Sequence, residues 1–147
     1  MAKELIDRLN DLIQLDVDAV RAYEQAIDAC DAADIKSKLN EFKGDHERHI
    51  TDLSAVVSAE GGTPEVKRDI KGFLIEGFTA IVSHGDHSAL LAMHGNEELT
   101  NRIYRAALDE ELPQDVRAPV ERNYEDEQRH LAWIKEALDT RAWEKAA

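Results

Sequence analysis

Residues 45–49 read Asp45-His46-Glu47-Arg48-His49, and residues 126–130 read Asp126-Glu127-Gln128-Arg129-His130. The two stretches lie 81 positions apart and share the Asp, the Arg and the final His in register. Outward from them, the same offset sets Arg21 against Arg102, Tyr23 against Tyr104, Ala26 against Ala107, Asp28 against Asp109 and Asp34 against Asp115. No gap is needed in either half. Amphipathic segments share Leu and Ala by chance, but a Tyr, an Arg and a His in one register are harder to match. The chain reads as one helical hairpin written twice.

Apolar residues at three- and four-residue steps give the helices. Leu5, Ile6, Leu9, Leu12, Ile13, Val20, Tyr23 and Ile27 mark a first helix over 3–29, and Leu39, Phe42, Ile50, Leu53 and Val56 a second over 34–60. Gly61-Gly62-Thr63-Pro64 stops it. Phe73, Leu74, Ile75, Phe78, Ile81 and Val82 predict a short, very apolar crossover helix over 66–82. A third helix is expected over 87–109 and a fourth over 116–144, separated by Leu112-Pro113-Gln114. Asp34, Asp86 and Asp115 stand where N-caps are wanted. The expected fold is all-α, an antiparallel four-helix bundle forming one domain over 1–147. The long connection between the second and third helices is the ferritin-like variant of that architecture.

The 147 residues suffice for one domain with a sizeable core. A formal net charge of −13 argues against nucleic acid and anionic membranes as partners. Cys30 is the single cysteine, which excludes an internal disulfide. No apolar run approaches the length of a membrane span, and the charged N-terminal pattern lacks a signal core. A soluble, cytoplasmic protein is expected.

Polar residues interrupt the stripes at one level. The first helix carries Asp16 in the line Ile13-Asp16-Val20, and the third has His94 and Glu97 between Leu90 and Tyr104. The second helix turns His46 and His49 inward, and the fourth turns Glu127 and His130 inward. Ionisable groups buried without good partners cost several kcal/mol each. A divalent cation offsets that cost, because imidazole and carboxylate are its ordinary ligands. Glu24 and Glu98 are alternative carboxylates to Asp16 and Glu97, while His84 and His87 read as surface or capping residues. Gly44 and Gly95 flank this level, where they weaken a helix but allow close packing or a bulge.

This constellation resembles the ferritin-like superfamily, which includes ferritins, bacterioferritins and rubrerythrins. Their layout is a Glu from each of two helices and Glu-x-x-His from each of the other two. Glu127-Gln128-Arg129-His130 matches the second Glu-x-x-His, Glu97 with Tyr104 resembles one lone-Glu helix, and Asp16, Ala19 and Tyr23 resemble the other. The whole chain is similar to a bacterial family of ferritin-like proteins with no assigned function. That similarity runs through Leu9-Asn10-Asp11-Leu12-Ile13, Gly61-Gly62-Thr63-Pro64 and Leu112-Pro113-Gln114-Asp115-Val116-Arg117. The departures are His46, where a bridging Glu is expected, and Asp16, one methylene shorter than Glu.

The resemblance implies one or two iron ions, with zinc or manganese as alternatives. Asp16, His46 and His49 are expected to hold one ion, and Glu97, His94 and His130 a second. Glu127 would lie between them as a bridge or acid–base group, with Tyr23 and Tyr104 orienting the ligands. Expected partners are O2 or peroxide and an external electron donor, since the single cysteine provides no rubredoxin-like cluster. Ferroxidase- or peroxidase-like chemistry would follow. A non-catalytic metal module and a metal-free interaction bundle are the alternatives. The apolar 66–82 segment, with Trp133 and Trp143, favours a homodimer.

Overall fold

Four long helices and one short one form in a computed structural model that describes residues 2–66, 81 and 84–145. They are α1 (Ala2–Ala29), α2 (Ala33–Ala59), α3 (Asp86–Leu108), α4 (Gln114–Asp139) and α5 (Ala142–Lys145). Among the described residues there is no strand. The crossover helix expected over 66–82 falls outside the described residues, apart from Val66 and Ile81. The fourth expected helix is divided: α4 ends at a Thr140 C-cap, and Arg141 takes a left-handed φ of 51° before α5.

Side-chain pairs give the topology. Asp16 meets Tyr104 while Tyr23 meets Glu97, so α1 and α3 are antiparallel. Asp45 meets His130 while His49 meets Asp126, so α2 and α4 are antiparallel. The short turns make α1–α2 and α3–α4 the hairpins, and α2 therefore runs parallel to α3. Its 27 residues span about 40 Å at the α-helical rise. The connection must return the chain over that length. It leaves beside the start of α1, where Asn10 Nδ2 donates to the Thr63 carbonyl at 3.2 Å. It arrives beside the end of α1, where the Gly85 N–H donates to the Ala29 carbonyl at 2.7 Å.

The aspartates expected as N-caps take a different place. Ala32, Gly85 and Pro113 occupy the cap positions, and Asp34, Asp86 and Asp115 fall in the first turns. There they still face the positive end of the helix dipole. Asp86 caps across the fold instead: its Oδ1 accepts from the N–H groups of Asp31 and Ala32 at 3.0 and 3.1 Å. Gly62 is required by close approach, since a Cβ there would lie 2.7 Å from Ile6 Cγ2. Gly44 has open space around it and admits no tight helix contact.

Burial divides the interior. One apolar cluster, including Tyr23, Ile35, Leu39, Phe42, Leu90, Met93 and Ile134, fills the end near the α1–α2 turn. A second, including Leu9, Ile13, Leu53, Val57, Tyr104, Val116 and Val120, fills the other end. Full burial of such side chains contributes about 1.5–3 kcal/mol each. Between the two clusters lies a layer that is not apolar.

Candidate metal centre

Asp16, His46, His49, Glu97, Glu127 and His130 make up this middle layer, each at most 1% exposed. They come from all four long helices. On α2 and α4 the paired side chains are three residues apart, which puts them on one helix face. Two overlapping sets of ligand atoms result, Asp16/His46/His49/Glu127 and His46/Glu97/Glu127/His130, each with its donors within 4.8 Å of one another. His46 and Glu127 belong to both.

The contacts follow the internal repeat. Tyr23 donates its hydroxyl proton to Glu97 Oε1 at 2.5 Å, and its counterpart Tyr104 donates to Asp16 Oδ2, also at 2.5 Å. His49 Nε2 lies 2.9 Å from Asp126 Oδ2, and His130 Nε2 lies 2.8 Å from Asp45 Oδ2. Arg48 and Arg129 close the rim, Arg48 on Asp126 and Arg129 on Asp45. Each of these contacts joins one hairpin to the other. Each histidine thereby turns Nε2 outward onto a carboxylate and presents Nδ1 to the interior. A carboxylate on the outer nitrogen fixes the tautomer and orientation of a metal-binding imidazole.

Asp45 and Asp126 were not among the expected site residues, although the 81-residue register already paired them beside His49 and His130. Thr100 is a further addition, its Oγ1 donating to Glu127 Oε2 at 2.9 Å. The structure does not bring His94 to the layer. It is part-exposed, and its Nδ1 faces Glu98 at 3.4 Å. Met93, one residue earlier and about 100° around the helix, takes the core position. The second expected ion set therefore lacks His94, and His46 stands in its place. Glu24 and Glu98 are more than half exposed and pair with Lys43 and His94. His84 is exposed beside Asp31, and His87 stacks on Trp143 at 4.7 Å between ring centroids.

Electrostatics within the layer are those of a box of opposite charges. Burial pushes the Asp16 carboxyl up, but His49 and His46 outweigh it and hold it below its ordinary value. Glu97, likewise buried, is held well below the usual carboxylate range by His130 and His46. Burial and the neighbouring Glu97 charge push Glu127 up to about 7. Burial alone would lower the imidazoles. Glu127 and Asp16 instead raise His46 well above its ordinary value, and Asp16 and Asp126 raise His49. His130 rises to about 10 through Asp45, with Glu127 and Glu97 nearby.

Two buried atoms of the layer have no hydrogen-bond partner: Glu127 Oε1 and His130 Nδ1. His130 Nδ1 lies 3.5 Å from Glu97 Oε1 and 3.8 Å from Glu127 Oε2, distances of attraction without a hydrogen bond. Buried polar atoms are nearly always satisfied, so two orphans aimed into one layer mark a place for a ligand. The donor set, three imidazoles and three carboxylates, suits a divalent first-row metal.

Fold and centre together define an all-α bundle with a histidine–carboxylate interior able to hold a metal ion. The chain belongs to the family described as a domain of unknown function, DUF2383, whose model matches residues 4–110. No curated protein matches it with significance. Among the described residues, no helix is long and apolar enough to cross a membrane.

Proposed function

We propose that this chain is a ferritin-like metal protein that holds non-haem iron in its middle layer. It would act in iron oxidation and handling, or in redox chemistry with O2 or peroxide. The observation that carries the reading is the disposition of His49 and His130. Each imidazole is anchored through Nε2 to a carboxylate of the opposite hairpin, with Nδ1 turned inward; His130 Nδ1 has no hydrogen-bond partner, and neither has Glu127 Oε1, which lies 3.6 Å from His49 Nδ1. Asp16, His46, His49 and Glu127, or His46, Glu97, Glu127 and His130, would hold the ion. Bound iron would supply one-electron chemistry towards oxygen species.

The chain's own residues prepare that chemistry. Tyr104 fixes Asp16 Oδ2 and leaves Oδ1 to His46 and His49, whereas Tyr23 donates to Glu97 Oε1, the same oxygen that faces His46 and His130. Thr100 fixes Glu127 Oε2. The two apolar clusters exclude water from both sides. In metal-free protein the protons on the raised imidazoles supply the positive charge, so metal loading near neutral pH releases protons.

Each donor set has four members, which also suits four-coordinate zinc in a closed, non-catalytic site. Elemental analysis of protein purified without chelator tests metal binding. Anaerobic Fe(II) loading followed by oxygen, watched for a ferric charge-transfer band, separates iron chemistry from a zinc site. His46→Ala and Glu127→Ala are expected to lose tightly bound metal, and full metal content in both would refute the assignment. Homodimerisation through the 66–82 segment is part of this reading, and sedimentation velocity tests it. Trp133 and Trp143 pack partly buried against their own chain's core.

A further inference from the structure

Within the middle layer the internal repeat fails at one pair of positions. At the 81-residue offset Asp16 corresponds to Glu97, carboxylate to carboxylate, and His49 to His130, but His46 corresponds to Glu127. The two residues are shared by both donor sets, yet they cannot be shared in the same way. Glu127 has two oxygens. Oε1 lies 3.4 Å from His46 Nδ1 and 3.6 Å from His49 Nδ1, while Oε2 lies 3.8 Å from His130 Nδ1. A carboxylate so placed can serve both sets at once.

A neutral imidazole cannot, because it offers one lone-pair nitrogen and one N–H. His46 Nδ1 lies 2.6 Å from Asp16 Oδ1, and its Nε2 lies 3.2 Å from Glu97 Oε1. With Nδ1 as a ligand in the Asp16 set, the proton sits on Nε2 and is donated to Glu97. With Nε2 as a ligand in the Glu97 set, the proton sits on Nδ1 and is donated to Asp16. Each tautomer completes one set of four donors and removes a donor from the other.

We propose that His46 makes the two sets compete, so that the chain binds one divalent cation tightly in either set and a second only weakly. The inference rests on the metal-binding reading above. A second ion would find three donors, one carboxylate already accepting a proton from His46, and a like charge nearby.

The test is titration of chelator-stripped protein with Co(II). Bound ions are counted by elemental analysis after gel filtration, and the sets are followed by d–d absorption. The expected result is one ion per chain, with the second at least about 100-fold weaker. His46→Glu restores at position 46 the residue type found at 127 and is expected to take two ions of affinities within about 10-fold of one another. A further arm does not depend on that variant folding. His49→Gln and His130→Gln are each expected to keep one tight ion, because the other set is intact, while the double variant loses it. Two ions of equal affinity in the unaltered chain, or loss of the ion in either folded single variant, overturns the competition and leaves metal binding standing. No bound ion in the unaltered chain overturns both.

Discussion

The α1–α2 hairpin and the α3–α4 hairpin carry the same equipment at the same positions, and they differ where it matters most. Asp16 and Glu97, Tyr23 and Tyr104, Asp45 and Asp126, Arg48 and Arg129, and His49 and His130 are matched pairs that contact one another reciprocally across the bundle. His46 and Glu127 are unmatched, as are Phe42 and Asn123, one turn away on the same two helices. Phe42 packs against His130 with 4.2 Å between ring centroids and the rings tilted by 30°, whereas Asn123 donates to the Tyr104 hydroxyl at 3.3 Å. The matched positions build the frame. The unmatched ones give the two halves different chemistry.

Breaking that contrast at its apolar member has the largest expected effect. Phe42→Ala opens a cavity in the first cluster and is expected to lower stability by about 3–5 kcal/mol. Asn123→Ala, which only leaves a hydroxyl short of one partner, is expected to cost about 1–3 kcal/mol. Urea denaturation of both variants without metal measures the difference, and equal losses would contradict the asymmetry. The matched carboxylates supply the opposite test. Asp45→Asn and Asp126→Asn should each weaken metal binding about 10–100-fold, and by similar factors, since each supports one outward imidazole nitrogen. Competition against a chromophoric chelator reads the two values, and a large disparity would mean that the frame is not symmetric.

Glu127→Gln sharpens the comparison through pH. The Glu127 carboxyl is raised to about 7 by burial and by Glu97. A raised acid contributes stability that is fully present below its ordinary value and is lost as pH rises through about 7. Gln stays neutral throughout. In chelator, the melting temperature of Glu127→Gln relative to the unaltered chain should therefore rise between pH 5 and pH 8, and a flat difference would contradict the assigned environment. The smallest effect belongs to Gly44, whose counterpart in the other hairpin is Glu125. Gly44 lies inside α2 with open space around it, so Gly44→Ala is expected to stabilise by about 0.5–1 kcal/mol in thermal or chemical unfolding.

Much of this was legible in the sequence because helix periodicity and internal repetition act over many residues. The hairpins and the six buried donors follow from stripes that a polar residue interrupts in all four helices at one level. What escaped reading depends on finer geometry. His94 and Met93 are neighbours on a stripe edge, and a small rotation of α3 decides which faces inward. Periodicity does not fix that rotation. Asp86 gives up its expected capping role to bond a turn 55 residues away in sequence, a contact no local pattern encodes. Nothing within their own helices marks Asp45 and Asp126 as site residues. Their role appears only when the opposite helix brings an imidazole to them, although the repeat had set them side by side.

The reciprocal contacts also bear on how the molecule would let go of a cation. Tyr23 reaches from α1 to α3, Tyr104 reaches back, and the two Asp–His pairs cross between α2 and α4 in both directions. A cation gripped there would act as a rivet through both halves. Its escape would wait on the hairpins parting, a slow collective opening of the barrel, and its residence time would report the mechanical cohesion of the two halves.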